Sequence, residues 1–90
     1  MAKIIVITGV TRGIGRGLAD EFARLGHKVV GCGRTADQIA ELQTSLGQAH
    51  DFAAVDDTDD RAVADWTRRM LAEHGAPDLL INNAAIMNAN

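Results

Sequence analysis

The chain has 90 residues and a mass of 9.6 kDa, enough for one small domain and no second, since domains usually run to about 100 to 150 residues. Apolar residues make up 47% and charged residues 23%, which excludes the polar, high-charge composition of a disordered chain. Nine basic against twelve acidic residues give a formal charge of -3, with acids gathered at Asp51, Asp56, Asp57, Asp59 and Asp60. That balance repels nucleic acid and anionic membranes, so neither is an expected partner.

The single cysteine, Cys32, has no internal disulfide partner, and His27, His50 and His74 are scattered without metal-ligand spacing. A reducing, cytoplasmic setting follows, with no metal. Met1-Ala2-Lys3 leads straight into the short apolar run Ile4 to Ile7, and no later run approaches the ~18 residues of a membrane span. The expectation is a soluble, untargeted chain.

Lys3 to Thr8 is a continuous β-branched run closed by Gly9, the pattern of a strand buried on both faces. Between Gly13 and Gly26, the spacing of Ile14, Leu18, Phe22 and Leu25 predicts a helix, with Gly26 at its left-handed C-terminal position. His27 to Cys32 reads as a second strand. Thr35 and Gln38 form a capping box before Ile39, Leu42 and Leu46, and Gly47 ends that helix. Asp51 to Val55 is a weaker third strand. Thr58 is the expected cap of a helix carrying Val63, Trp66 and Met70 on a core-facing stripe, and this helix stops at Gly75-Ala76-Pro77. Asp78 to Asn82 is a fourth strand. The order βαβαβαβ requires crossovers, and right-handed crossovers put helices on both faces of a doubly wound parallel α/β sheet.

Between the first strand and first helix lies Thr8-Gly9-Val10-Thr11-Arg12-Gly13-Ile14-Gly15. At a helix N-terminus the backbone N–H groups and positive dipole end point outward, and glycine lets a pyrophosphate approach the backbone. It is not a Walker loop, because no Gly-Lys-Ser/Thr follows, and Leu18 stands at the third position of the G-x-G-x-x-G/A fingerprint. Without a ligand the same residues are a tight strand-to-helix turn.

Thr-Gly-x-x-x-Gly-x-Gly at 8 to 15 resembles the cofactor motif of the short-chain dehydrogenase/reductase family. Asn82-Asn83-Ala84-Ala85 resembles the family's Asn-Asn-Ala-Gly, with Ala85 in place of glycine, and Asp56-Asp57-Thr58 resembles its Asp-Val-Thr segment. The resemblance implies a partial Rossmann-type sheet of four strands in the order 3-2-1-4, with residues 1–90 forming the N-terminal part of a single dinucleotide-binding domain. It implies a cofactor held by Gly9, Thr11, Arg12, Gly13, Ile14 and Gly15, with adenine meeting the Asp56 side chain and the Asp57 backbone, and ribose lying along Asn83 and Ala84. Asp56 also reads as a solvated member of an acidic run, and Asn82 as a structural residue bonding backbone near the strand end.

An NAD site usually carries an acid about 20 residues after the glycine turn. Gly33 holds that position here, Arg34 follows it, and Arg12 lies inside the turn. Two guanidinium groups and no carboxylate favour NADP(H) over NAD(H), unless both arginines are plain surface charges. The sequence contains no tyrosine, and the family's catalytic Ser and Tyr-x-x-x-Lys lie downstream of the fourth strand, so no catalytic residue can be assigned. Asn88 and Asn90 come too early to serve as the family's supporting Asn. Cys32, lacking a basic partner, reads as a packed thiol, and the three histidines as surface residues. The segment alone is expected to be inactive and, with Leu79, Leu80 and Ile81 on an exposed edge strand, to fold weakly by itself. The resemblance implies an NADP(H)-dependent oxidoreductase that interconverts a small-molecule carbonyl and a secondary alcohol as a homodimer or homotetramer; a non-catalytic nucleotide-binding or regulatory module is the alternative.

Overall fold

The β-branched run at the N-terminus becomes the central strand of the sheet. The computed structural model describes residues 2–83. In chain order the elements are β1 (Ile4–Thr8), α1 (Gly13–Arg24), β2 (Lys28–Gly33), α2 (Ala36–Leu46), β3 (Asp51–Ala54), α3 (Asp60–His74) and β4 (Leu79–Asn82). All pairings are parallel and the strand order is β3-β2-β1-β4, so the doubly wound arrangement and its 3-2-1-4 order are both observed. Val6 of β1 is flanked by Val30 of β2 and Leu80 of β4.

Because successive side chains of a strand point to opposite faces, β1 feeds two cores. Ile5 and Ile7, with Val29, pack with Ala19 of α1, Ile39 and Leu42 of α2 and Phe52 of β3. Val6 and Val30, with Cys32, pack with Val55 and with Trp66 and Met70 of α3. Thus α1 and α2 cover one face and α3 the other. Each fully buried aliphatic side chain in these layers contributes about 2 kcal/mol. Strands β2 and β4 flank β1 on either side, so the direction of winding reverses at its carboxyl end, where open α/β sheets hold their ligands.

Three local expectations change. In α1, Leu18 and Phe22 pack against the core, but Ile14 is 67% exposed and Leu25 53% exposed. Gly15 is the residue turned inward there, and Ile14, one position earlier, is rotated about 100° away from it. Thr35 is the N-cap residue of α2 by position, yet its side chain makes no capping hydrogen bond, so the Thr35/Gln38 box does not form. At α3 the cap is Asp59 and not Thr58: Asp59 Oδ1 accepts from the N–H groups of Arg61 at 3.0 Å and Ala62 at 3.2 Å. A carboxylate suits the positive helix end, while Thr58 is held by Asp56.

Candidate functional site

The glycine turn is shaped by close approach. Gly9 and Gly13 have φ values of 67° and 50°, a region that side chains disfavour. Gly15 is buried, and a Cβ on it would lie 2.4 Å from Gly9 O and 2.6 Å from Asn83 Nδ2. Arg12 is the N-cap residue of α1, and no acidic side chain stands in that helix's first turn. The helix N-terminus therefore keeps its unpaired N–H groups and positive end.

Beside this turn is a cleft of about 310 Å³, lined by Gly9, Thr11 and Arg12, by Gly33, Arg34 and Thr35 after β2, and by Asp57 after β3. The structure thus brings together Gly9, Thr11, Arg12, Arg34 and Asp57 from three separate strand ends. Gly13, Ile14, Gly15, Asp56 and Asn83 are not among its lining residues. Ala84 and Ala85 lie outside the described residues, as do Asn88 and Asn90. Thr35, which the sequence reading took as a helix cap, is an additional lining residue, and its place directly after Arg34 is the signal for it.

The adjacent aspartates differ. Asp56 Oδ1 accepts from the Thr58 N–H at 2.9 Å and the Thr58 hydroxyl at 2.6 Å, forming a closed local turn. Those two hydrogen bonds, aided by the Arg34 charge, hold its carboxyl below the usual carboxylate range. Asp57 lines the cleft, and among the described residues its Oδ1 is buried without a hydrogen-bond partner. Arg34 Nε lies 3.8 Å from Oδ1 of each aspartate. Asp57 is thus the aspartate that lines the cleft, within ion-pair reach of Arg34.

The two asparagines bond differently. Asn83 is 1% exposed, and its Nδ2 donates to Gly9 O at 2.9 Å and Arg12 O at 3.4 Å, tying the end of β4 to the glycine turn. Asn82 accepts the Thr8 hydroxyl at 2.7 Å through Oδ1. Asn82 is thus structural at the strand end, and Asn83 adds a tie to the backbone of the glycine turn. Cys32 is buried behind the cleft, and burial, reinforced by the Asp57 charge, pushes its thiol up to about 11 against an opposing Gly9 backbone hydrogen bond.

The histidines are structural, and not free surface groups. His27 Nδ1 accepts from Lys3 N at 3.1 Å and His50 Nδ1 from Val29 N at 3.0 Å. His74 Nε2 lies 2.7 Å from Asp51 Oδ2, fastening the end of α3 to the start of β3. Ligand atoms of Asp51, Glu73 and His74 fall within 4.8 Å of one another, a proximity that their sequence spacing hid. Among the described residues no helix is long and apolar enough to cross a membrane.

The short chain dehydrogenase family matches residues 3–90. An NADPH-dependent pterin aldehyde reductase of Arabidopsis thaliana is 35% identical over 99% of this chain and 38% of its own length. Serine 3-dehydrogenase of Rhizobium radiobacter is 39% identical over 96% of this chain and 34% of its own length. Among solved structures, 3-ketoacyl-(acyl-carrier-protein) reductase of Brucella melitensis, complexed with NADH, superposes with a TM-score of 0.78 at 31% identity, over 87% of this chain and 32% of that one. L-sorbose reductase of Gluconobacter frateurii, complexed with NADPH and L-sorbose, gives 0.75 at 30% identity, over 88% and 32%. The chain spans little more than a third of these relatives. Matched over nearly its full length in sequence and in fold, it belongs to the short chain dehydrogenase family.

Proposed function

We propose that residues 1–90 are the N-terminal part of one dinucleotide-binding domain and hold the adenosine and pyrophosphate side of NADP(H). The protein carrying them is then an oxidoreductase in which the bound nicotinamide exchanges hydride with a small-molecule carbonyl or secondary alcohol. Its expected setting is cytoplasmic and its expected assembly a homodimer or homotetramer. The observation that carries this reading is the joining of Arg12 and Arg34 in one cleft with the α1 N-terminus, at a strand end where Gly33 supplies no carboxylate. A helix N-terminus attracts a pyrophosphate, and guanidinium groups pair with a phosphate through charge-assisted hydrogen bonds of about 1.5 to 3 kcal/mol each.

Within this reading Gly9, Gly13, Gly15 and the backbone at Ile14 form the pyrophosphate cradle. Arg12, Thr11 and Arg34 surround the ribose phosphate, and Asn83 and Ala84 lie near the second ribose. The Asp56 side chain, which also fixes the loop through Thr58, and the Asp57 backbone lie toward the adenine. The test is a fluorescence titration of the complete protein with NADPH and NADH, before and after Arg34→Asp. The wild type is expected to bind NADPH more tightly, and the substitution to weaken NADPH about ten- to a hundredfold relative to NADH. An unchanged preference after Arg34→Asp would overturn the assignment.

A further inference from the structure

Position 33 is restricted by its surroundings and not by its own backbone. Gly33 is absent from the glycines with positive φ, so its conformation is open to ordinary residues. The strand end is held from both sides, by Val10 N donating to Cys32 O at 3.0 Å and Val55 N donating to Gly33 O at 2.8 Å. A Cβ at position 33 would meet Thr11 Oγ1 at 2.9 Å and Thr11 Cγ2 at 3.1 Å, whereas its next neighbour, Ile39 Cδ1, is at an ordinary 3.4 Å. The obstacle is one side chain, contributed by the glycine turn.

Thr11 cannot rotate clear. A threonine fills two of the three staggered positions about its Cα–Cβ bond, and both filled positions crowd Gly33. Any other rotamer vacates at most one of them. Serine could leave both empty by turning its hydroxyl to the third position, and alanine leaves both empty always.

We propose that Thr11 is a specificity-determining residue that enforces glycine at position 33, because its branched side chain fills the space a carboxylate-bearing side chain there would need. Thr11 and Gly33 act as one unit: together they keep an acid out of position 33, beside Arg12 and Arg34. This role rests on the NADP(H) reading above, whereas the steric coupling of the two positions does not.

Two readouts on the complete protein separate them. In the first, Gly33→Ala is made with Thr11 and with Thr11→Ala, and melting is followed without cofactor. The melting temperature is expected to fall by about 5 °C beside Thr11 and to change by less than about 2 °C beside alanine. In the second, Gly33→Asp is made in the same two backgrounds and titrated with NADH and NADPH. Gly33→Asp alone is expected to weaken both cofactors by similar factors. Paired with Thr11→Ala it is expected to shift the preference toward NADH by at least about tenfold. Equal melting losses in both backgrounds, or a full shift of preference by Gly33→Asp alone, would overturn the role of Thr11. A wild-type protein that prefers NADH would overturn the cofactor reading and the specificity role, while the melting cycle would still report the steric coupling.

Discussion

At the amino end of the sheet, side chains meet the backbone N–H groups that lead the strands. Asp78 Oδ2 accepts from Ile4 N at 2.8 Å, His50 Nδ1 from Val29 N, and Gln43 Oε1 from Phe52 N, each of the last two at 3.0 Å. Gln43 also donates to Gly47 O at 2.9 Å and His50 O at 2.7 Å, so one amide ties α2, its following turn and β3 together. At the carboxyl end the pattern reverses: a helix N-terminus without a capping side chain stands beside two arginines, one of them paired at 3.8 Å with an Asp57 oxygen that has no hydrogen bond among the described residues. Both ends carry clefts, of about 280 Å³ and about 430 Å³ at the amino end and about 310 Å³ at the carboxyl end. Size does not tell them apart. At the amino end these side chains hold the strands in place, with His74 Nδ1 buried without a hydrogen-bond partner, whereas the carboxyl end sets an uncapped helix N-terminus beside two arginines.

The largest effect expected from breaking this contrast is Gly15→Ala. Its Cβ would meet a backbone oxygen and the Asn83 amide below 3.0 Å, and backbone cannot give way cheaply. A loss of about 3 kcal/mol in denaturant melts is expected, together with loss of NADPH binding. Next comes a matched pair. Asn83→Ala and Gln43→Ala each remove a partly or fully buried amide serving backbone groups, and each is expected to cost about 2 kcal/mol. Only Asn83→Ala, which loosens the glycine turn, should also weaken NADPH, by about tenfold or more; Gln43→Ala should leave the NADPH dissociation constant within about twofold.

A smaller effect is expected with pH. Burial, aided by Lys28, lowers the affinity of His50 for a proton, and its Nδ1 must stay unprotonated to accept from Val29 N. The neutral form is the folded one, so this contribution is complete above the ordinary histidine value of about 6.5 and is lost as the pH falls through the lower folded value. The melting temperature of His50→Gln should fall less than that of the wild type between neutral and mildly acidic pH. The smallest effect is chemical. With its thiol pushed up to about 11, Cys32 should resist iodoacetamide at pH 8 in the folded protein and react on unfolding, as read by mass spectrometry.

The elements and their order were legible because the β-branched runs of β1 and β2 are closed by glycine and each helix carries its own apolar spacing. Which of two neighbouring residues faces the cleft was not legible. Asp56 and Asp57, like Asn82 and Asn83, sit just at strand ends, where one residue of displacement turns a side chain to the opposite side. Their composition and motif are the same under either assignment, and only packing decides. The amino-end clamps were hidden for a different reason: His27, His50 and Gln43 reach strand backbones distant in sequence, and no spacing rule announces such a contact. Gln43 did leave one trace, as a polar residue four positions after the buried Ile39.

The most direct test of the division between the two ends is a residue-by-residue map of NADPH binding by amide chemical shifts in the complete protein. The changes are expected to concentrate at Gly9 to Gly15, Gly33 to Thr35, Asp57 and Asn83, with Lys28, Gln43, His50 and Asp51 unmoved. Changes centred on that second group, or no changes in the first, would contradict that division.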